Sequence, residues 1–305
     1  MNVLIIHNMR SGLRNGTVYD FARAYAENGD SVTIRTFDGS TPLRDLLTDA
    51  KHFDFVVASG GDGTLASVAY ELRNSDIPIL PFAAGTANLL TTNLYEPNEI
   101  HALCKTVDEG RTLNFDLGEV TTAEGTRRGF AVMAGCGYDE VIMSNADAKK
   151  KKMGEAAYFH AAFTNVTPPV ATFKLTVDGK HYETYGIGIV LANFSRIQFD
   201  LMISEDNLPR DGMLDAVVLK TKNAVELLLT VFAKALDHSG SLAKKVGNLE
   251  LYRGREISIE ANPALMVEHD GEPTSFTTPI TARCLPGAAR FIVSAEAVEH
   301  FVHKE

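Results

Sequence analysis

Residues 57–66 read VASGGDGTLA and residues 83–88 read AAGTAN, two glycine turns only a strand apart. Gly60, Gly61 and Gly63 precede the hydroxyl of Thr64; Gly85 precedes Thr86 and Asn88. Glycine lets backbone N–H groups approach an anion closely, and a strand-to-helix turn adds the positive end of a helix dipole. That chemistry suits phosphate. Asp62, set among the three glycines, is out of place in a bare anion site. Neither turn follows GxxxxGK[ST] or GxGxxG. Either turn alone could be structural, since glycine also serves positive φ and close packing. A second turn after the very next strand favours a nucleotide cradle.

A second cluster lies in EHDGEP, where Asp270 and Glu272 flank Gly271. Two carboxylates so close repel one another. With partial burial, that repulsion would raise one pKa toward neutrality and suit it to proton abstraction. Asp-Gly between apolar segments is also a hairpin signal, and most such turns do no chemistry. Asp211-Gly212 in DGMLDAVVL poses the same choice.

Positioning these groups requires a scaffold, and the first third of the chain has the pattern of one. VLIIHN, SVTIRTF, FDFVVA and IPILPF read as strands, with helices at NGTVYDFARAYAENG (Thr17 as N-cap, Gly29 as stop), STPLRDLLTDA, residues 65–73 and from GTANLLTTNL. Such alternation predicts a parallel sheet covered on both faces, with ligands beyond the carboxyl ends of its strands. After residue 115 short strand-like segments separated by Asp-Gly, Gly or Pro predict an antiparallel sandwich. Helices near 153–164 and 222–237 interrupt it. The expected architecture is α/β plus β: a Rossmann-like three-layer α/β nucleotide-binding domain over 1–118 and a β-sandwich over 119–294. The helical tail 295–305 could pack back on the first domain.

At 305 residues the chain is long enough for two cores, and 45% apolar with 22% charged residues excludes wholesale disorder. A net charge of −10 argues against nucleic acid as the partner. Cys104, Cys136 and Cys284 have no metal-ligand spacing and read as buried thiols of a cytoplasmic protein. No stretch reads as a signal peptide or a membrane span. The run Lys149, Lys150, Lys151, Lys152 is either a solvated loop or a contact with anionic headgroups worth about 1 kcal/mol per lysine. His300 and His303 read as surface residues, and homodimerisation is left open.

GGDGT followed by GTANLL resembles the diacylglycerol kinase catalytic-domain family, which includes bacterial lipid kinases and sphingosine and ceramide kinases. HNMRSG stands where that family has an Asn-Pro-x-Ser-Gly-like loop. FDLGEV, AGCGYDEVIM, LPRDGMLDAVVL and VEHDGEP resemble its later segments in order. Met9 replaces the usual Pro, Ala66 stands where Asn is common, and Leu89 where Asp often follows. RIQFDLMISEDNLPRDG lacks the Gly pair and Pro-x-Ala that usually lead to the metal loop.

The resemblance implies an NAD kinase/diacylglycerol kinase-like fold and a lipid kinase using MgATP. Asn8, Arg10, Ser11, Gly12, Thr36, Gly60, Gly61, Asp62, Gly63, Thr64, Gly85, Thr86 and Asn88 would then line the ATP site; Asp62 would sit near the nucleotide's Mg²⁺, where an acid becomes welcome, or anchor the site's water and side-chain network. Glu272 would be the general base, with Asp270 beside it. A structural Mg²⁺ would take the Asp211 carboxylate and the carbonyls of Leu208 and Met213. The acceptor would be a lipid, diacylglycerol first, at the inner face of the membrane. Two rivals stand beside this: an NAD kinase, whose Gly-Ser-Thr-Ala-Tyr-like stretch is not found here, and a non-catalytic binding member of the fold.

Overall fold

The computed structural model describes residues 1–12, 16–27, 29–137, 169–196, 207–221 and 249–302. The lysine run 149–152, both helices expected inside the sandwich, and His303 lie outside these. The chain divides into two compact units, residues 1–117 with 287–305 and residues 118–286.

In the first unit β1 (Asn2–Asn8), β2 (Ser31–Phe37), β3 (Phe55–Gly60) and β4 (Ile79–Ala83) form a parallel sheet in the order β2-β1-β3-β4. Alternate residues of a strand face opposite sides. Val3 and Ile5 pack in a core with Phe21 and Tyr25 of α1 (Thr17–Ala26) and Leu103 and Val107 of α5 (Ile100–Glu109). Leu4 and Ile6, on the other face of β1, are equally inaccessible. Both faces are therefore covered, as a parallel sheet requires. α2 (Leu43–Leu46), α3 (Asp62–Glu71) and α4 (Leu89–Asn93) complete the alternation.

Local chemistry explains the departures from the expected boundaries. α1 is capped by Gly16 at φ 65°, so Thr17 is its first residue and not its N-cap. α3 begins at Asp62, three residues before the apolar periodicity, because an acid in the first turn complements the helix dipole. α5 was not among the expected helices. Ile100, Leu103, Cys104 and Val107 nevertheless have helical spacing, and Gly110 in the left-handed region ends the helix.

The chain enters the second unit within β5 (Thr112–Thr122) and leaves it within β16 (Ile280–Ile292). The Asp116 carboxylate accepts the Gly287 N–H at 2.7 Å, where the strand resumes after Pro286. The second unit also holds β6 (Arg127–Phe130), β7 (Met133–Gly137), β8 (Ala171–Val177), β9 (Lys180–Gly186), β10 (Gly188–Ala192) and β11 (Leu214–Leu219). Its last members are β12 (Leu249–Gly254), β13 (Glu256–Asn262), β14 (Met266–His269) and β15 (Glu272–Thr277). One antiparallel sheet runs β12-β11-β10-β7-β14-β15, and β16-β13-β8-β9 forms the other layer. Phe173, Leu175, Ile257 and Ala282 pack with Cys136, Leu191, Ala216 and Val267 in a single core. This is a β-sandwich. Gly118 is required in β5 because a Cβ there would lie 1.9 Å from the Phe130 ring.

All three cysteines are free and buried. His300, expected at the surface, instead lies against Tyr95, with ring centroids 4.6 Å apart, in the final helix α6 (Ala295–Val302). Burial of Ala297 and Phe301 draws that face of the helix inward. Among the described residues no helix is long and apolar enough to cross a membrane.

Candidate functional site

Three loops meet at the carboxyl ends of β1, β3 and β4. Asn8 ends β1, and its Nδ2 donates to Thr64 Oγ1 at 2.7 Å while its Oδ1 accepts the Arg10 N–H at 2.9 Å. Ser11 Oγ accepts the Gly61 N–H at 3.2 Å. Gly12 has φ 57°, and a Cβ there would fall 2.0 Å from the Ala84 carbonyl oxygen. The first loop thus touches both others. Gly61 and Gly85 are in backbone contact, since a Cβ on Gly85 would meet Gly61 Cα at 2.5 Å. Asn88, left-handed at φ 51°, closes the third loop by accepting the Gly85 N–H at 2.8 Å and donating to its carbonyl at 3.1 Å.

The acid among the glycines has a protein partner. Asp62 opens α3, and its Oδ1 accepts the Leu90 N–H in the first turn of α4 at 2.8 Å. One carboxylate therefore ties the second loop to the helix that follows the third.

These bonds bring together Asn8, Arg10, Ser11, Gly12, Gly60, Gly61, Asp62, Thr64, Gly85 and Asn88. Gly63 lies in the first turn of α3 and accepts Ser67 Oγ at its carbonyl. Thr86 is exposed between Gly85 and Asn88, and Thr36 is exposed opposite His7 near the end of β2. Bare backbone packed this closely, with hydroxyl and amide groups around it, is a surface on which phosphate oxygens fit. Replacing Gly85 with Ala must push the loops apart. An overpacking cost of about 1–3 kcal/mol and an ATP affinity lowered by at least about tenfold are expected. Equilibrium titration with MgATP checks this, and unchanged affinity would separate the loops from nucleotide binding.

In the second unit, Asp270 (φ 45°) and Gly271 (φ 77°) form the two-residue turn between β14 and β15. Positive φ at both positions is the geometry favoured for such hairpins. The Asp270 carboxylate is turned inward. Oδ2 accepts the Ala131 N–H at 2.8 Å, and Oδ1 accepts those of Val132 at 2.8 Å and Met133 at 3.1 Å. Its own N–H returns to the Met133 carbonyl at 2.8 Å, and Glu268 Oε2 accepts the Gly271 N–H at 3.0 Å. The adjacent Glu272, first residue of β15, is exposed. The two carboxylates differ in kind: Asp270 is bound by backbone donors, and Glu272 faces outward from a turn that Asp270 anchors.

His269 precedes this turn. Burial first, and then the Arg128 charge, lower its pKa to about 4. Because the unfolded ring titrates near 6.5, stability conferred by the neutral ring is complete above that pH and lost as pH falls toward 4. The loss is about 3 kcal/mol. Urea unfolding at pH 7 and pH 4.5 is expected to show this loss in the wild type and much less in His269→Gln; equal losses would contradict the assignment.

At the proposed metal loop, Leu208 carbonyl accepts the Asp211 N–H at 3.2 Å and Asp211 Oδ1 accepts the Met213 N–H at 2.9 Å. Leu208, Asp211 and Met213 thus share one turn, with Gly212 at φ 75°. A positive charge is already present: Arg253 Nη1 lies 3.9 Å from Asp211 Oδ2, and its Nε is 2.6 Å from Asp215 Oδ1. Among the described residues no three His, Cys, Asp or Glu side chains cluster as a metal set. Arg253 thus supplies a countercharge to the Asp211 carboxylate.

Comparison with known proteins agrees with this architecture. Residues 2–120 match the diacylglycerol kinase catalytic domain, and residues 132–293 match the YegS C-terminal NAD kinase beta sandwich-like domain. The chain belongs to the family of the YegS C-terminal NAD kinase beta sandwich-like domain, whose model spans more than half of it, and its first part matches the diacylglycerol kinase catalytic domain. A Mycobacterium tuberculosis protein named diacylglycerol kinase is 26% identical over 242 residues, 76% of this chain and 74% of its own. The protein sll0036 of Synechocystis is 28% identical over 255 residues, 82% of this chain; the chain spans only 57% of that relative's length. A diacylglycerol kinase structure from Bacillus anthracis superposes with TM-score 0.73 at 20% identity, covering 97% of this chain and 98% of its own. An NAD kinase from Archaeoglobus fulgidus, solved with ATP, gives 0.55 at 16% identity, covering 100% and 98%. At such identities the structural likeness speaks for the fold.

Proposed function

We propose that the protein is a lipid kinase that transfers the γ-phosphoryl of MgATP to a lipid hydroxyl, with diacylglycerol as the acceptor and phosphatidic acid as the product. The reading rests on one observation above the rest: three loops, joined through Asn8–Thr64, Gly61–Gly85 and Asp62–Leu90, concentrate bare backbone and hydroxyl groups at one sheet edge. Phosphoryl transfer asks mainly for positioning, charge neutralisation and one proton acceptor. The loops supply the first. Magnesium carried in with ATP supplies the second, as part of the substrate. Exposed Glu272, on its anchored turn, supplies the third. Family membership and the name carried by the Mycobacterium relative support a lipid acceptor. The acceptor would be met at the inner face of the membrane, with Lys149 to Lys152 as cationic contacts.

The acceptor assignment is tested by supplying MgATP with diacylglycerol, ceramide, sphingosine, undecaprenol and glycerol lipids, and with NAD in parallel. Phosphorylated diacylglycerol as the dominant product is expected. NADP formation without any phospholipid product would replace this reading with the NAD kinase alternative.

A further inference from the structure

One end of the β-sandwich gathers side chains from three strands around the turn of Asp270 and Gly271. Val267 on β14 belongs to the core, and so does Ala134, the β7 residue opposite His269. His269 therefore points to the inner side, and Glu272, paired with His269 across the hairpin, shares that side. Arg128 comes from β6. It lies opposite Val120 of β5 and two residues before Phe130, both of them core residues, so it too is on the inner side. The chain then crosses to β7 through Ala131 and Val132, the stretch whose N–H groups Asp270 accepts. Arg128 is thereby brought to the end of the sandwich where Glu272 stands, and its charge acts on the His269 ring.

These groups differ in kind. Burial and the neighbouring guanidinium keep His269 neutral. Glu272 and Arg128 are exposed. Arg127, on the outer side of the same strand, lies 4.0 Å from Glu119, and Arg283 is paired with Glu256. Among the described residues no carboxylate is paired with Arg128, whose Nη1 donates to the Arg127 carbonyl at 2.9 Å. A guanidinium carries its N–H donors in a planar fork that fits two phosphoryl oxygens at once. A base and an unneutralised cation thus share one side of one turn.

We propose that Arg128 is a further catalytic residue, its guanidinium holding the oxygens of the phosphoryl group as that group reaches the hydroxyl beside Glu272. The inference rests on the lipid-kinase reading above. In this step the acceptor oxygen bonds to the γ-phosphorus while the bond from phosphorus to the bridging oxygen breaks. The electron pair of that bond leaves with ADP, the hydroxyl proton passes to Glu272, and Arg128 meets the negative charge on the non-bridging oxygens. The experiment is labelled transfer from MgATP to diacylglycerol in detergent micelles by the wild type, Arg128→Ala and Arg127→Ala, with thermal melts confirming that both variants fold. Donors aimed at charge that develops in the transition state are worth about 10²-fold in kcat, so Arg128→Ala should lose that much while its MgATP affinity changes little. Arg127→Ala, which removes a cation from the outer side, should match the wild type. Free guanidinium at millimolar concentration should raise the turnover of Arg128→Ala and not that of Glu272→Gln, a rescue that a merely structural arginine would not give. Undiminished kcat in Arg128→Ala, or a loss that guanidinium does not relieve, would overturn the inference and leave lipid transfer by the wild type standing. No lipid product from the wild type would remove both.

Discussion

Replacing Asp270 with alanine is expected to destabilise the protein by about 3–5 kcal/mol, the largest stability loss anticipated for a single polar side chain here. The reason is the number of donors it satisfies. Three consecutive backbone N–H groups, those of Ala131, Val132 and Met133, converge on one carboxylate. Asp270 itself is only 8% exposed. Truncation leaves all three buried donors without their acceptor, at about 1–3 kcal/mol each before water enters the gap. Asn keeps one acceptor oxygen and should cost less, about 1–3 kcal/mol. The turn would also lose its tether to the start of β7, so Glu272 would lose its fixed position. Urea unfolding of the wild type, Asp270→Asn and Asp270→Ala should rank in that order. An alanine variant within 1 kcal/mol, about the cost of an ordinary hydrogen bond, would show that the carboxylate is not the anchor described.

Glu272→Gln should behave oppositely, with little effect on stability and a large one on turnover. The side chain is exposed at the first position of β15, so its amide needs no buried partner. If Glu272 takes the acceptor hydroxyl's proton, removing that base should lower kcat by about 10²–10⁴-fold, the usual contribution of a general base. ATP affinity should be unchanged, because the loops proposed to hold phosphate belong to the other unit. The two variants thus separate an acid that builds the turn from an acid that uses it. Undiminished transfer by Glu272→Gln would remove Glu272 from the chemistry.

Much of this division was legible in the residues, and the rest was not, for physical reasons. The parallel sheet could be read from β1 to β4 because β1, β3 and β4 are short apolar runs followed by glycine loops and β2 alternates beside them. The hairpin at Asp270-Gly271 could be read because two positive-φ residues between strands admit few alternatives. The duties of the acids could not be read. Asp62 reaches Leu90 across 28 residues, and Asp270 reaches Ala131 to Met133 across 137–139. Local patterning carries no trace of such partners. A carboxylate expected near magnesium or as an anchor of the site, and another expected to be repelled by its neighbour, both accept hydrogen bonds from distant backbone N–H groups. The Leu208–Met213 turn was recognisable, but the arginine that neutralises its acid comes from β12, a strand whose LELYRG has weak alternation.

Incubation with γ-labelled MgATP and diacylglycerol in detergent micelles, followed by organic extraction, tests the central claim most directly. The account predicts label in extracted phosphatidic acid for the wild type and a loss of about 10²-fold or more for Glu272→Gln. Label confined to ATP and inorganic phosphate, with every lipid unlabelled, would contradict it.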